Sequence, residues 1–571
     1  MLDTTMATTF VPGTNLRGEA AGGNWIYILP SLEINKTICV GVPTSKTLRT
    51  LQKISHSIVI LCEGEKNLEK TKKVIEQNEF LDVQVILIGQ ENRIPLMEKC
   101  ADLVLMAGFW SSRRLSQEHI SLTNLRQLLT SRGFLYFEFV GQPDQLPQEL
   151  KIPGLNDVNG KANILWLTPL RDEMQTAIPY TDHNTINYFL RHKLYAPSVE
   201  IPLLDRVERF IDRYVILGRF FRRYGVLLGN GTAFNSADLP KYLQSIAKES
   251  GIDIIDHRWG LSARGKSNSR KVLFLLFNPV NGNPEFIVKL TRDKELNYRL
   301  VNEYRALNIL AEMESGDRET VPQPVFFGCH GDLAILGETM IEGVSFRRQT
   351  SYAADCKLGQ VAIDWLIELS ATSAHLNRSN ATYAIEVLNK LLDRFANVYH
   401  PKPELYSFLF KQIESIGNIT GEFPVVFQHG DPGTWNLLVT KKDGVAFLDW
   451  EAAEPEGMPL WDLFYFMRSY AVGSARTLGI RKSLDGFAKQ FIAESPLSPW
   501  IIEATQRYCD RTNLQEKLVE PLFYTCWMHR ALKETTRLTP SNLDRGHYLS
   551  LLKLCIEKRN SPTFRQLFSL A

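Results

Sequence analysis

The sequence predicts an α/β domain with a Rossmann-like parallel sheet, followed by an α+β domain with two lobes, and three observations indicate this fold class. Residues 24–140 alternate apolar, strand-like runs with polar, helix-compatible stretches. Residues 271–290 contain a strand, a turn and a second strand. After residue 352 the apolar spacing is mostly helical. A chain of 571 residues is also too long for one hydrophobic core.

The composition is that of an ordinary globular protein and excludes several classes. With a net charge of +2 the chain gives no reason to expect a nucleic-acid partner. The 8 cysteines show no C-x-x-C pair, which argues against zinc and disulfide frameworks and fits a reducing cytoplasm. No run approaches the roughly 18–20 apolar residues of a membrane span. We therefore expect a cytoplasmic protein with no nucleic-acid partner and no transmembrane segment.

In the first domain, residues 1–23 are predicted to be a flexible leader and residues 24–200 a Rossmann-like domain. The predicted strands are Thr37–Val42, Ser57–Cys62, Val83–Ile88, Asp102–Ala107, Phe134–Phe139 and Ile164–Thr168. Because the first five strands are almost continuously apolar and alternate with helical stretches, we expect them to form a parallel sheet covered on both faces, with Ile164–Thr168 as one more strand in the tail of the domain.

Residues 201–235 are predicted to form an amphipathic linker helix. Apolar residues from Leu203 to Tyr224 follow helical spacing, and six arginines lie among them. A basic amphipathic helix can lie on a membrane surface, so peripheral membrane contact through residues 203–224 is one interpretation. We favour a helix packed between domains, because most amphipathic helices face a core.

The second domain is predicted to have a small β-rich lobe, residues 236–345, and a helical lobe, residues 346–571. In the small lobe, Lys271–Phe277 and Phe286–Leu290 flank an Asn-Pro-Val-Asn-Gly-Asn-Pro turn, which predicts a hairpin. A helix over 293–313 follows, and then strands at Pro324–Gly328 and Leu333–Met340.

The segment 428–451 contains the polar residues that a phosphoryl-transfer site needs. It fits the pattern H-x-D-x-x-x-x-N followed by a further aspartate, with His429, Asp431, Asn436 and Asp449 at those positions. Asp431 is the candidate catalytic base, and Asn436 and Asp449 offer the oxygen ligands that Mg²⁺ prefers. A structural His-Asp pair in a tight turn would explain the first two residues but not the intervals to the others.

Two upstream residues fit the same chemistry. Lys289 lies in a strand-like Phe-Ile-Val-Lys-Leu run, and Glu303 falls on the apolar face of the predicted helix, three residues after Leu300. A glutamate on an apolar face is costly unless it is paired, and Lys289 is the evident partner. The alternative is a solvated lysine and a partly exposed glutamate. The pair predicts a site for the α- and β-phosphates of ATP.

Residues 260–267 match the P-loop pattern G-x-x-x-x-G-K-[ST], but the context differs. A P-loop requires a helix after the motif, whereas a strand-like run follows here. We interpret the segment as a loop between two strands of the small lobe, where Gly265, Ser267 and Asn268 could cover the phosphates of ATP. An ordinary glycine turn is the alternative.

Taken together, residues 236–560 resemble the aminoglycoside phosphotransferase/choline kinase-like family, which has the protein-kinase fold. The resemblance rests on His429-Gly430-Asp431…Asn436, Leu448-Asp449-Trp450-Glu451 and Pro459-Leu460-Trp461-Asp462-Leu463. It implies that the residue matched by Asp431 is the catalytic base and that those matched by Asn436 and Asp449 bind Mg²⁺. It also implies that Lys289 binds ATP and that Asp462 is structural.

Two departures from protein kinases bear on the acceptor. Gly430 replaces the catalytic-loop arginine, and no A-P-E segment follows Asp449. Both indicate a small-molecule hydroxyl as acceptor. Glu451, Glu454 and Glu456 could attract a cationic or polyhydroxylated substrate, although solvated loop carboxylates are the simpler interpretation for the last two.

Residues 25–140 resemble, more weakly, a class I S-adenosylmethionine-dependent methyltransferase. The residues Leu128 to Leu135 look like the turn before the family's fifth strand, and Glu63 stands where the family holds ribose hydroxyls. However, the loop after the first strand has one glycine, Gly41, and Pro43 lacks a backbone donor. S-adenosylmethionine is thus a possible cofactor, and we favour a degenerate domain.

Three functions are compatible with these patterns. The first is an ATP- and Mg²⁺-dependent phosphotransferase acting on a hydroxyl of a small molecule such as a sugar, an aminoglycoside-like compound or an amino alcohol. The second is a bifunctional methyltransferase–kinase that modifies a glycan or lipid-linked substrate. The third is a non-catalytic assembly or recognition protein.

Overall fold

The computed structural model describes residues 23–78, 80, 82–88, 96–110, 122–141, 162–170, 173–192, 223–229, 238–263, 271–313, 320–376, 378–417, 422–442 and 444–569. The chain divides into two compact units. The first comprises Met1–Lys294 with Phe326–Gly337, and the second comprises Glu295–Val325 with Glu338–Ala571. The domain boundaries predicted above stay predictions.

The described strands of the first unit form one mixed sheet. Its strands are β1 (Ile34–Val40), β2 (Ser55–Glu63), β3 (Val83–Ile88), β4 (Ala101–Trp110), β5 (Leu129–Val140), β6 (Ala162–Leu170), β7 (Glu173–Pro179), β8 (Arg223–Gly229), β9 (Arg258–Ser262), β10 (Lys271–Phe277), β11 (Pro284–Thr291), β12 (Pro324–His330) and β13 (Leu333–Thr339). Their order is β12-β13-β11-β10-β9-β7-β6-β8-β5-β4-β1-β2-β3.

The N-terminal part of this sheet has a Rossmann-like arrangement. Strands β3, β2, β1, β4 and β5 are parallel neighbours in that order. Strand β8 then runs antiparallel to both β5 and β6. The helices here are α1 (Ser45–Ile54), α2 (Glu65–Gln77), α3 (Leu122–Gln127) and α4 (His183–Arg191). The predicted α/β class and all six predicted strands are confirmed.

Strand β8 corrects the predicted linker helix at residues 223–229. All seven residues of Arg223–Gly229 are buried, and Arg223 forms an ion pair with Glu138 of β5. A strand between two neighbours is covered on both faces, so its sequence is a continuous apolar run that short-range spacing does not distinguish from a buried helix. The remainder of the predicted helix, and with it the membrane-contact interpretation, lies outside the described residues.

The Rossmann-like strands and the strands of the small lobe are joined within the first unit. Strand β7 pairs with β9 at Thr176↔Ser262 and Ala177↔Leu261. The buried 3₁₀ helix Asn24–Ile28 adds a second link, because the Asn24 amide donates to the carbonyl of Met174 at 2.6 Å and accepts from Arg292 at 2.6 Å. The sheet is therefore continuous from β3 to β12.

The small lobe follows the predicted pattern. Strands β10 and β11 form an antiparallel hairpin, and their turn is closed by the Asn278 N–H, which donates to the Asn283 carbonyl at 2.8 Å. Helix α5 (Lys241–Glu249) precedes β9. The predicted helix over 293–313 is a 3₁₀ turn, Lys294–Leu296, followed by α6 (Asn297–Glu312).

The second unit is mostly helical, as predicted. Its further helices are α7 (Phe346–Gln349), α8 (Lys357–Leu376), α9 (Ala381–Tyr399), α10 (Pro403–Ile416), α11 (Trp461–Thr477), α12 (Ser483–Phe487), α13 (Ser498–Thr512), α14 (Val519–Glu534), α15 (His547–Glu557) and α16 (Pro562–Phe568). Short strands β14 (Gly343–Ser345), β15 (Arg378–Asn380), β16 (Glu422–Pro424), β17 (Val426–Gln428), β18 (Leu437–Thr440), β19 (Val445–Phe447) and β20 (Glu454–Gly457) complete it. Within the described ranges, none of the helices is long and apolar enough to span a membrane.

Candidate active site

The candidate site is centred on residues 429–436, which we call the Asp431 loop. It leaves β17 and enters β18 through a tight turn at Gly430, where φ is +76°. A Cβ atom at Gly430 would lie 2.0 Å from the carbonyl oxygen of Ala452. Both the backbone conformation and the space therefore require glycine.

The carboxylate of Asp462, at the start of α11, holds the beginning of this loop. It accepts hydrogen bonds from the N–H groups of His429 at 2.6 Å and Gly430 at 3.1 Å. Burial raises the pKa of Asp462 to about 7, although these two donors act in the opposite direction. Its contacts are those of a residue that fixes a loop, as the resemblance implies.

His429 is buried and is held in one tautomer. Its Nδ1 accepts from the N–H of Asp431 at 3.2 Å, and its Nε2 lies 3.0 Å from the carbonyl oxygen of Leu448. The neutral ring with its hydrogen on Nε2 satisfies both contacts. Burial lowers the pKa of His429, which agrees with a neutral ring. His429 therefore braces the loop.

Asp431 and Asn436 contact each other. The Asn436 amide donates to the Asp431 carbonyl oxygen at 3.0 Å and to its Oδ2 at 3.2 Å. The indole of Trp435 also approaches Oδ2, at 3.4 Å. The Asp431 side chain is 23% exposed, so its carboxylate can be reached from solvent.

Asp449 is brought to the same region by the β18–β19 hairpin. The N–H of Leu448 donates to the carbonyl of Asn436 at 2.9 Å. Asp449 itself has φ +68°, a left-handed conformation that non-glycine residues rarely adopt. Such strain occurs at functional sites. The structure thus assembles the predicted base and both predicted metal ligands in one unit.

Helix α6 fixes the segment that follows Asp449. Glu303 is fully buried, and its Oε1 accepts from the N–H of Trp450 at 3.0 Å. The amide of Asn302 donates to the carbonyls of Glu451 and Ala453, at 3.1 and 2.9 Å. Glu303 therefore has a positioning contact that the sequence did not indicate.

Lys289 lies on β11, the third strand of the small lobe, opposite Leu273 of β10, and is 7% exposed. Because Lys289 belongs to the first unit and Glu303 to the second, their predicted ion pair stays a prediction. Gly265, Ser267 and Asn268 lie outside the described residues. A strand on either side, β9 and β10, confirms that the P-loop context is missing.

The residue that sequence reasoning missed is Arg530 of α14. Its Nη2 donates to Oδ1 of Asp431 at 3.0 Å, and its Nη1 donates to the carbonyl of Gly430. The guanidinium carbon lies 3.7 Å from the ring centroid of Tyr465. A guanidinium from a distant helix thus lies beside the position where Gly430 replaces the catalytic-loop arginine. The signal was an arginine on a buried helical face, four residues after Cys526.

The acidic residues after Asp449 are occupied by internal contacts. Glu451 forms an ion pair with Arg299 at 3.2 Å, and Glu454 forms one with Lys533 at 2.8 Å. The hydroxyl of Tyr383 donates to Glu456 at 3.3 Å. Their partners reduce the attraction that these carboxylates can offer to a cationic substrate.

In the methyltransferase-like part, the loop between β1 and α1 offers fewer polar groups to a ligand than the Asp431 loop does. Strand β2 ends at Glu63, as predicted. Gly41 follows β1 with φ +94°, and α1 begins only four residues later, at Ser45. Pro43 lies in this short connection and has no N–H to offer a ligand. Binding of S-adenosylmethionine stays a prediction.

The Asp431 loop and the hairpin that follows it bring together the side chains that the sequence predicts for phosphoryl transfer. Residues 269–490 match the family model described as the phosphotransferase enzyme family. The predicted resemblance to phosphotransferases is therefore confirmed for this part of the chain. No curated protein matches the chain.

Solved structures of phosphotransferases and of a methyltransferase are similar to parts of the chain, and one further structure aligns with most of it. The aminoglycoside phosphotransferase APH(3'')-Id of Streptomyces rimosus, in complex with ADP and streptomycin, is 14% identical, with 45% of this chain and 88% of that chain covered and a TM-score of 0.29. WbdD, crystallised with a kinase inhibitor, is 12% identical, with 94% of this chain and 85% of that chain covered and a TM-score of 0.21.

A candidate methyltransferase of Bacillus halodurans is 14% identical over 21% of this chain, with a TM-score of 0.17. The chain spans 50% of the length of that protein. TM-scores this low carry no information on substrate or activity.

Proposed function

We propose that the protein transfers the γ-phosphoryl group of ATP to a hydroxyl group of a small molecule such as a sugar or an amino alcohol. The observation that supports this most strongly is the contact set of Asp431. Its carboxylate is fixed by Asn436 and Arg530 and is still partly exposed. A fixed, accessible carboxylate suits a general base within hydrogen-bond reach of an acceptor hydroxyl.

Each residue has a separate role in the proposed reaction. Oδ2 of Asp431 accepts the proton as the acceptor oxygen forms its bond to phosphorus and the bond to the ADP oxygen breaks. Asp462 and His429 hold the loop that carries Asp431. Lys289, a buried cation on β11, would neutralise the α- and β-phosphates, as the resemblance implies.

The side chains present fit a Mg²⁺ ion. Asn436 turns its amide nitrogen toward Asp431, which leaves its carbonyl oxygen for a cation. Asp449 adds a carboxylate. Hard oxygen donors of this kind, few in number, suit Mg²⁺, which binds to one or two protein groups and to phosphates. When bound, the ion neutralises charge on the phosphates; within the described residues no denser cluster of His, Cys, Asp and Glu offers an alternative site.

The first experiment is a coupled ATP assay with a panel of sugars, amino alcohols and nucleosides. We expect Mg²⁺-dependent turnover of at least one compound and expect Asp431→Asn to lower kcat by about 10²–10⁴-fold, since general-base catalysis contributes that much. ATP binding should persist in this variant. Asp485→Asn, an exposed aspartate in α12, is the matched control. Full turnover by Asp431→Asn would exclude Asp431 as the base.

The bifunctional alternative is favoured by one observation only, the Rossmann-like strand order with an antiparallel β8. The non-catalytic alternative requires that the Asp431 loop be inert. Absence of Mg-ATP binding in calorimetry would support the non-catalytic alternative and reject the phosphotransferase.

A further inference from the structure

Arg468 is a buried cation without an anionic partner among the described residues. It lies in α11 and is 6% exposed. Its Nη2 contacts Nε2 of His547, while its Nε has no hydrogen-bond partner. Burial and the charge of Arg468 lower the pKa of His547 to about 4, so at physiological pH the neutral ring can accept this hydrogen bond. An imidazole carries no negative charge in either protonation state, so His547 does not neutralise Arg468. Buried charges are normally paired or bound to a ligand.

A second guanidinium, that of Arg530, contacts the same tyrosine ring as Arg468. The guanidinium carbon of Arg468 lies 5.4 Å from the ring centroid of Tyr548, and that of Arg530 lies 5.5 Å from the same centroid. The two carbons are thus within about 11 Å of each other. The Nε of Arg530 is also buried without a hydrogen-bond partner. The hydroxyl of Tyr548 is 2.9 Å from that of Tyr465. The ring of Tyr465 packs against the guanidinium of Arg530.

Arg530 connects this cluster to the proposed chemistry, because the same guanidinium contacts Asp431. Asp431 neutralises Arg530 in part, and nothing comparable neutralises Arg468. Three further carboxylates of this region have contacts of their own. Glu454 pairs with Lys533, Glu534 accepts from the N–H of Tyr548 at 2.9 Å, and Asp462 accepts from the N–H groups of His429 and Gly430. Within this cluster, Arg468 is therefore the cation that no carboxylate of the described residues contacts.

We propose that Arg468 and Arg530 bind an anionic group, a phosphate or a carboxylate, carried by the hydroxyl acceptor. This inference rests on the proposed function and narrows its substrate class to anionic hydroxyl compounds such as sugar phosphates or sugar acids. Guanidinium groups bind such oxyanions through paired, charge-assisted hydrogen bonds. The bound anion would replace neutral His547 as the acceptor for Arg468. Anchoring the anion here places the rest of the acceptor beside Asp431.

The first test is calorimetry on the full chain without nucleotide, with inorganic phosphate and glucose 6-phosphate as probes and glucose as the neutral counterpart. We expect millimolar or tighter binding of both anions and no binding of glucose. Arg468→Gln should weaken anion binding by at least about tenfold, because the charge-assisted hydrogen bonds are lost. Arg476→Gln, an exposed arginine of the same helix, should change nothing. Failure of the unaltered chain to bind either anion overturns the proposal.

A second variant covers the case in which Arg468→Gln does not fold. His547→Asp supplies the missing counter-ion, so we expect it to raise the thermal midpoint and to weaken phosphate binding. If phosphate still binds equally well, the proposal is wrong. If either variant weakens ATP binding and leaves glucose 6-phosphate binding unchanged, the anion belongs to the nucleotide, which also overturns it.

In the turnover assay, acceptors are compared in neutral and anionic pairs. Arg468→Gln should raise KM for the anionic member by at least about tenfold while kcat changes little, because uniform binding is lost. The two proposals fail separately. Phosphate binding without turnover of any compound rejects the phosphotransferase alone, and turnover of neutral acceptors without phosphate binding rejects the anion site alone.

Discussion

Two strand-to-loop turns of this molecule begin alike and differ in what surrounds them. Gly41 follows β1 with φ +94°, and Gly430 follows β17 with φ +76°. At Gly41 the nearest atom to an added Cβ is the carbonyl oxygen of Ala107 at 3.8 Å. At Gly430 the carbonyl oxygen of Ala452 would be 2.0 Å away, and the backbone is held by Asp462.

The two turns share a positive φ but differ in the polar side chains that surround them. The turn at Gly41 keeps the left-handed conformation, but its next residues offer Val42, Pro43 and Thr44, and Thr44 caps α1. The turn at Gly430 is surrounded by a carboxylate, an amide and a guanidinium in direct contact. A positive φ alone therefore does not indicate a working site.

The largest expected difference is in ligand binding. We expect calorimetry on the full chain to show heat with Mg-ATP and none with S-adenosylmethionine up to millimolar concentration. Asp449→Asn should weaken Mg-ATP binding by at least about tenfold, as removal of a metal ligand or its support does. Asp485→Asn is the control. Binding of S-adenosylmethionine would show that the Gly41 turn is a working site as well.

Alanine substitutions at the two glycines should differ in cost. Gly430→Ala forces a clash and a strained φ, so we expect a loss of at least about 3 kcal/mol in the free energy of unfolding. Gly41→Ala meets strain without a clash, and about 1 kcal/mol is expected. Urea denaturation of both variants measures the difference. Equal losses would mean that the space around Gly430 can relax.

The second unit should lose stability in mild acid. Burial lowers the pKa of His529 and of His547 to about 4, so between about pH 6.5 and 4 the unfolded chain binds two protons that the folded chain does not. Asp462, with its pKa raised to about 7, opposes this with one proton bound only by the folded chain. These three groups together leave a difference of one proton, which corresponds to a loss of about 1.4 kcal/mol in the free energy of unfolding per pH unit as the pH falls. His429, whose pKa burial also lowers, acts in the same direction.

Hydrogen exchange at pH 7.5 and 5 measures this slope. Peptides from α14 should lose protection once intrinsic exchange rates are corrected. In the first unit, burial lowers the pKa of His330 and raises that of Glu138, so their effects oppose each other and peptides from β4 should change less. Equal loss in both units would contradict the assignment of the effect to the histidines of the second unit.

The smallest effect concerns thiol reactivity. Burial raises the pKa of Cys356, but hydrogen bonds from Thr350 and Ser351 outweigh it and bring the pKa to about 6. Burial raises the pKa of Cys62 in the first unit. We expect iodoacetamide at pH 7 to modify Cys356 at least a few-fold faster than Cys62, because the thiolate is the nucleophile. Mass spectrometry with Cys356→Ser as control checks this order.

Local patterns were sufficient for much of the fold. The parallel strands, the hairpin around Gly282 and the helical second unit follow from apolar spacing and turn residues. The predicted helix was wrong at residues 223–229 because a strand covered on both faces shows no alternation of apolar and polar residues. The pairing of β7 with β9 joins residues far apart in sequence, and short-range patterns carry no information about such contacts.

The same contrast holds for the site. The intervals between Asp431, Asn436 and Asp449 are local, and the structure brings these residues together. Arg530 lies 99 residues after Asp431, in a helix in which the sequence shows no motif. Arg530, like Glu303, is a charged residue on an apolar helical face and therefore needs a partner. This requirement predicts an ion pair for Arg530 without identifying Asp431 as its partner.

The segment that precedes β1 has a consequence for how the chain folds during synthesis. The N–H of Leu32 donates to Nε2 of His330 at 3.1 Å, across a separation of 298 residues. The hydroxyl of Tyr242 donates to the carbonyl of Tyr27 at 2.8 Å. Residues 27 and 32 are thus synthesised long before the residues that they contact, and contacts between residues so far apart in sequence slow folding. Removal of residues 24–33 is therefore expected to damage the small lobe, although that lobe is encoded more than two hundred residues downstream.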